Sequence, residues 1–417
     1  MIKNTQDTVR INSDRLLSSL AELARIGARP DGSCSRLALT DEDKLGRDLV
    51  VRWMTELGLD VRIDAIGNIF GVRGGIDPSL SPVMTGSHID TVRTGGAYDG
   101  NLGVLAGLEV VAALNDAQAR TKRDLVVAVF TNEEGARFAP DMMGSLVYVG
   151  GMSLIDALET KAIDGAVFGD ELARIGYAGP MTLGAIEPHA FVELHIEQGP
   201  VLDIEGVRIG VVENLQGISW QEVTITGQSN HAGTTPMRMR HDAGYVAAAI
   251  AVFVRELASE MGGDQVATVG KVDLIPNLIN VIASRALVTV DLRNTDENLL
   301  RLAEQRFASF LEDLAKREGV QISTRKLARF EPVLFDQNVA EVIERQAMAL
   351  GLSCRRMTSG AGHDAQMMAR ICPSAMIFVP SVGGISHNPA EHTEPQDLVS
   401  GAEVLLRTLL EISNQES

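Results

Sequence analysis

The chain has 417 residues, too many for one hydrophobic core, so about two domains are expected. Apolar residues make up 45% and charged residues 22%, the balance of an ordinary soluble globular protein. A formal charge of −18 argues against nucleic acid or an anionic membrane as partner, though one local arginine can outweigh it inside a cleft.

Cys34, Cys354 and Cys372 form no CxxC pair, which argues against a disulfide framework or a thiolate zinc site and fits a reducing compartment. The opening "MIKNTQDTVRINSDRLLSSL" lacks the apolar centre of a leader, and no apolar run approaches the ~18 residues of a membrane span. A cytoplasmic location is expected.

In chain order, "SDRLLSSLAELARIG" and "DKLGRDLVVRWMTELGL" have helical spacing, the second ending at a glycine suited to a C-cap. "DVRIDAIGNIFGVRGG" alternates as a strand pair. "SPVMTGSH" is a short apolar run ending in turn residues, and "NLGVLAGLEVVAALNDA" is an apolar-faced helix. "RDLVVAVFTNEEG" is apolar on both faces, as a strand is in a parallel sheet covered by helices. This alternation predicts an α/β layer architecture, in which active residues collect at the carboxyl ends of strands. His88 and the pair Glu133–Glu134 both follow such ends.

From about Glu213 the pattern changes. "GISWQEVTITGQSN", "DAGYVAAAIAVFVRELASE", "ATVGKVDLI", "VIASRALVTVDLR", "ENLLRLAEQRFASFLEDLAKREG" and "VQISTRKLA" read as strand, helix, strand, strand, helix, strand. That order predicts a ferredoxin-like α+β insert over 213–328. The main α/β domain, with a central mixed sheet flanked by helices, then comprises 1–212 and 329–417.

The stretch "TGSHIDTVRTGGAYDGN" exposes His88, Asp90 and Asp99 among glycines, and His and Asp suit a borderline divalent metal. A lone histidine is more often a satisfied core or surface residue than a ligand, so the case rests on the company each one keeps. Asp90 stands two residues after His88, where its carboxylate can accept the other ring N–H and fix the tautomer. Asp99 precedes a helix: it can cap that helix or bridge two ions. Glu133 and Glu134 are adjacent, and like charges repel unless a cation or proton intervenes. One can bind metal while the other moves a proton. "FVELHIEQGPVLD" adds His195, with Glu193 and Glu197 read as solvated and Gln198 on the opposite side of an extended segment. "GGISHNPAEHT" adds His387, in preference to His392 at the entry to a helix. His88, Asp99, Glu134, His195 and His387, with Glu133 free, suit two divalent ions with water between them.

Six motifs in order, "GSHIDTVRTGGAYDGNLGVLAGLE", "FTNEEGARF", "LHIEQGPVL", "GQSNHAGTTPM", "SGAGHDAQMMA" and "GGISHNPAE", resemble the hydantoinase/carbamoylase branch of the M20 metallopeptidase family. That branch includes N-carbamoyl-L-amino acid hydrolases, allantoate amidohydrolases and β-ureidopropionases. The resemblance covers essentially the whole chain. It implies a di-metal α/β domain split by a smaller lid and dimerisation domain. It also implies one metal on His88, Asp99 and His195, a second on Asp99, Glu134 and His387, and Glu133 as general base. The same resemblance gives substrate roles to Gln198, His231, Asn280 and Arg293, with Gly362, His363 and Asp364 lining the pocket. The planar fork of Arg293 suits a carboxylate, and His231 suits a developing oxyanion.

The expected activity is hydrolysis of an N-carbamoyl-L-amino acid by a homodimer carrying two Zn, Mn, Co or Ni ions per subunit. The rival readings are an allantoate or related ureido-acid hydrolase, an M20-type dipeptidase or aminoacylase, and a non-catalytic binding protein.

Overall fold

A computed structural model of the chain describes residues 9–415. The leader reading falls partly on residues 1–8, outside the described residues. The chain divides into two compact units, Met1–Glu213 with Phe335–Ser417, and Asn214–Leu334.

The first unit begins with α1 (Ser13–Ala24) and α2 (Asp41–Glu56), then β1 (Asp60–Ile63), β2 (Ile69–Arg73) and β3 (Val83–His88). The long α3 (Asn101–Asp116) and β4 (Leu125–Phe130) follow. Short helices α4 (Met143–Tyr148), α5 (Leu154–Leu158) and α6 (Phe168–Ile175) lead to β5 (Ala190–Ile196), α7 (Val201–Glu205) and β6 (Ile209–Leu215). The second unit contains β7 (Gly217–Thr226), α8 (Ala243–Met261), β8 (Val266–Ile275), β9 (Arg285–Asn294), α9 (Glu297–Glu318), β10 (Gln321–Phe330) and the two-residue β11 (Val333–Leu334). The chain re-enters the first unit through α10 (Gln337–Ala349), β12 (Cys354–Ser359), α11 (Asp364–Met368), β13 (Ser374–Val379) and α12 (Pro395–Asn414).

In the first unit the sheet runs β1-β2-β4-β3-β5-β13-β6, with β12 also pairing with β6. Its centre is parallel: β4 with β3, β3 with β5, and β5 with β13. Strands β3, β4, β5 and β13 are buried along their whole length, so both faces are apolar. Helix α3 packs on this sheet and is itself buried from Asn101 to Leu114, which explains its lack of a polar face. Parallel neighbours point the same way. The carboxyl ends of these four strands therefore open along one edge, as expected for an active site in such a sheet.

The second unit is β-α-β-β-α-β with sheet order β10-β7-β9-β8, all antiparallel. Strand β9 alternates strictly, with Ala286, Val288, Val290 and Leu292 buried in a core shared with α8 and α9. Strand β10 runs on to Phe330, past the 328 read from sequence, because Ala328, Arg329 and Phe330 continue the ladder against β7.

Candidate metal centre

His88 is the last residue of β3, and His195 lies near the end of β5. Glu133 and Glu134 follow β4, and His387 lies in the loop after β13. Asp99 stands just before α3, whose N-cap is Gly100 rather than Asp99. The alternation of a parallel sheet thus brings residues from five separate segments to one edge.

Asp99 is the hinge of the arrangement. Its Oδ1 lies 3.1 Å from His195 Nε2 and 3.6 Å from His88 Nε2. Its Oδ2 lies 3.2 Å from His387 Nε2, which in turn is 3.3 Å from Glu134 Oε2. Donor atoms of His88, Asp99 and His195 lie within 4.8 Å of one another, as do those of Asp99, Glu134 and His387. The two carboxylate oxygens of Asp99 therefore face two different ligand groups. Glu133 belongs to neither group and lies 3.4 Å from His88 Nε2.

The histidine tautomers suit ligation. His88 Nδ1 donates to the Asp90 carbonyl at 2.9 Å, and His195 Nδ1 donates to the Ile196 carbonyl at 2.9 Å. A carbonyl only accepts, so the proton sits on Nδ1 and leaves Nε2 facing Asp99. Here the structure corrects the reading of Asp90. Its carboxylate is 3.9 Å from the His88 ring and instead accepts the backbone N–H groups of Glu133 and Glu134, at 3.2 and 3.3 Å. The backbone carbonyl, not the side chain, fixes the tautomer.

Burial and close packing of charge shape the electrostatics of this cluster. Among the described residues, the ion-pair partners of Asp99, Glu133 and Glu134 are all histidines. Burial pushes the Glu134 carboxyl up to about 8, helped by the Asp99 charge, and raises Glu133 well above the carboxylate range. Hydrogen bonding to Asp99 pushes His387 up to about 9, against the pull of burial. Burial also opposes charge on His88, but Glu133, Asp99 and Asp90 outweigh it and hold its pKa well above the ordinary value. Buried carboxylates and imidazoles crowded this closely attract positive charge, as protons or as a metal ion. The donor set of oxygens and ring nitrogens around a shared carboxylate fits divalent ions, which displace such protons.

A third group, Glu193, His195 and His363, also brings donor atoms together. Its carboxylate is already spoken for: Glu193 accepts from Ser87 Oγ at 2.6 Å and from the Ala365 N–H at 2.8 Å. His363 is buried, its ring lies tilted against His195 with centroids 4.4 Å apart, and it shares a hydrogen bond with Ser359 Oγ. Burial, and then His195, hold its pKa well below the ordinary value, so it stays neutral. Gly362 packs against Met142, which a side chain there would strike.

Glu193 and Glu197 are buried, contrary to their reading as solvated. Glu197 accepts the N–H groups of Val201 and Leu202, both at 2.8 Å, and so caps α7. The extended alternation expected beyond His195 also fails. Strand β5 ends at Ile196 and Gln198 takes a left-handed φ of 58°. This turns its amide onto Asp99, with Nε2 2.8 Å from Oδ2.

His231, Asn280 and Arg293 lie in the second unit. His231 Nδ1 accepts the N–H groups of Gly233 and Thr234, at 3.0 and 3.2 Å, so its proton is on Nε2. The Asn280 carbonyl accepts the Ala232 N–H, and His231 pairs with Val281, so these loops run side by side. Arg293 grips Asp291 through Nε and Nη2, at 3.0 and 2.9 Å.

Two residues escaped the sequence reading. Arg36 is fully buried and donates from Nε to the Ile89 carbonyl at 2.7 Å and from Nη2 to Asn101 Oδ1 at 2.8 Å. It thereby ties the His88 loop to the start of α3. Glu391 accepts the Tyr98 and Asp99 N–H groups on one oxygen. Nothing in "SRLAL" or "PAEHT" distinguishes either from a solvated charge.

Residues 84–411 match peptidase family M20/M25/M40. The chain is 44% identical to an N-carbamoyl-L-amino-acid amidohydrolase of Rhizobium meliloti, over 96% of this chain and 97% of that one. It is 36% identical to a ureidoglycolate hydrolase of Arabidopsis thaliana, over 98% of this chain and 88% of that one. A crystal structure of a hydantoinase/carbamoylase family amidase from Burkholderia multivorans superposes with a TM-score of 0.93 at 42% identity, covering 98% and 100% of the two chains. With residues 84–411 matched by the family and close relatives aligned over nearly the full chain, this chain belongs to peptidase family M20/M25/M40, in the company of the hydantoinase/carbamoylase amidases.

Proposed function

We propose that the protein is a metal-dependent amidohydrolase that removes the carbamoyl group of an N-carbamoyl-L-amino acid, yielding the L-amino acid, CO2 and ammonia. The observation that carries this reading is the division of Asp99, one oxygen toward His88 and His195 and the other toward His387, with Glu133 outside both groups. The choice of substrate is supported by the full-length similarity to the Rhizobium meliloti enzyme.

In this reading His88, Asp99 and His195 hold one divalent ion and Asp99, Glu134 and His387 a second, with Zn, Mn, Co and Ni all compatible. Bound there, the ions supply Lewis acidity and lower the pKa of water toward ~7. Glu133 takes a proton from the attacking water and returns it to the leaving nitrogen. Asp90 steadies this base by holding the Glu133 and Glu134 backbone N–H groups. His231 offers an Nε2–H donor for the oxyanion that develops on the carbamoyl carbon's oxygen. Arg293 and Asn280 hold the substrate's α-carboxylate, with Gln198 as a further donor. The unit Asn214–Leu334 acts as lid and dimerisation domain. Its edge strand β8, with exposed Val266, Val272 and Ile275, supports a homodimer. Free Cys34, Cys354 and Cys372 fit a reducing cytoplasm. Among the described residues no helix is long and apolar enough to cross a membrane.

The test is a panel of N-carbamoyl-L-methionine, allantoate, ureidoglycolate and a dipeptide, on Mn- or Co-reconstituted protein beside a chelated control. Preferred turnover of the N-carbamoyl amino acid is the expected result. The similarity to the Arabidopsis thaliana ureidoglycolate hydrolase favours a second reading, a hydrolase of another ureido acid, and preference for that substrate or allantoate would establish it. Turnover of the dipeptide alone would overturn both.

A further inference from the structure

The loops that carry Asp99 and His387 are far apart in sequence, yet one buried side chain joins them. Glu391 Oε1 accepts the N–H groups of Tyr98 and Asp99, at 3.1 and 3.3 Å. Its Oε2 accepts from Ser386 Oγ at 2.9 Å, and that hydroxyl also reaches Asp99 Oδ2 at 3.4 Å. Ser386 immediately precedes His387. Glu391 therefore touches the backbone of the shared carboxylate on one side and the neighbour of a ligand histidine on the other.

Two further observations separate this contact from ordinary loop packing. Among the described residues Glu391 makes no ion pair within 4 Å although it is buried beside Asp99, and the cation that feels its charge is the neighbouring ligand candidate His387. A carboxylate so placed is unfavourable unless something nearby compensates. Gly96 also leaves room for it: a Cβ at position 96 would overlap the Glu391 carboxylate and its Cβ. Gly96 is not among the residues with positive φ, so its backbone does not demand glycine. The glycine is needed for the space that Glu391 fills.

We infer that Glu391 is a positioning residue that sets Asp99 and His387 in register, so that the Asp99–Glu134–His387 group closes on a divalent ion. This rests on the metal reading of the centre given above. Loss of an outer partner that orients metal ligands typically weakens metal affinity ~10–100-fold. The effect falls mainly on one of two ions, because His88 and His195 approach Asp99 from its other oxygen.

The experiment titrates demetallated protein with Mn2+ by calorimetry, comparing wild type with Glu391→Gln, Glu391→Ala and Gly96→Ala, and follows kcat and KM after reconstitution. Wild type should bind two ions per chain. Glu391→Ala should weaken one of them ~10–100-fold and lower kcat at limiting Mn2+, with KM little changed. Glu391→Gln should stay within a few-fold of wild type, because its amide oxygen still accepts both N–H groups. Gly96→Ala should reproduce the Glu391→Ala phenotype by expelling the side chain, and it serves as the decisive variant should Glu391→Ala not fold. Wild-type affinity in both Glu391→Ala and Gly96→Ala would overturn the inference, and so would Glu391→Gln as weak as Glu391→Ala, which would leave only a charge effect. Failure of wild type itself to bind Mn2+ would instead overturn the metal reading.

Discussion

Gly100→Ala is the sharpest perturbation of the centre that changes none of the candidate ligand residues themselves. Gly100 has φ 67° and ψ −46°, and the Asn101 N–H closes onto the Asp99 carbonyl at 2.7 Å, a γ-turn that puts Asp99 at the edge of α3. A positive φ costs an L-residue about 1–2 kcal/mol. The added methyl would also stand 2.5 Å from His88 Nδ1, and closer still to Cε1 and Nε2. Ordinary contact needs about 3.5 Å, so the ring must retreat by about 1 Å. Metal–ligand distances tolerate only about 0.2 Å, and a 1 Å misplacement costs roughly 100-fold in rate. The variant should therefore lose at least one ion per chain by elemental analysis and about 100-fold or more in kcat. The control is Gly206→Ala, which has φ 63° but open space around its Cβ. It should lose similar thermal stability and keep its metal and activity. Full metal content and wild-type kcat in Gly100→Ala would refute the assignment of His88 as a ligand pressed against this turn.

Glu133→Gln should retain both ions and lose roughly 100-fold or more in kcat, the usual contribution of a positioned base; wild-type-like turnover would reject its role. Arg293→Ala should raise KM for N-carbamoyl substrates ~10–100-fold, from the ~1.5–3 kcal/mol of a charged hydrogen bond, and an unchanged KM would remove it from the carboxylate site. Exhaustive chelation should abolish turnover, and added Mn or Co should restore it, as followed in the same assay; undiminished activity without metal would rule out the mechanism. His363 is held neutral when folded, so an unfolded chain gains a proton that the native state refuses as pH drops below ~6.5. Stability should fall with pH there by up to about 1.4 kcal/mol per unit, and denaturation midpoints of His363→Gln should show a shallower slope.

Local pattern carried much of this protein in its sequence. The buried run that became β4, and the strict alternation of β9, are periodicities that any neighbour would read the same way. Glycines around His88 and Asp99, and the paired Glu133 and Glu134, marked polar chemistry at strand ends, although the fold buries His88, Asp90, Asp99 and Glu133 where the sequence suggested exposure. Tertiary structure alone decided what distant partners impose. Asp90 turned from His88 to the Glu133 and Glu134 backbone, Gln198 swung onto Asp99 through a left-handed turn, and Glu193 and Glu197 went inside to meet orphaned donors. Arg36 and Glu391 look like solvated charges in their own segments, and only the fold reveals the carbonyls and N–H groups they satisfy. The physical reason is range: hydrophobic periodicity is written along neighbouring residues, whereas the partner of a buried polar group lies wherever the chain returns.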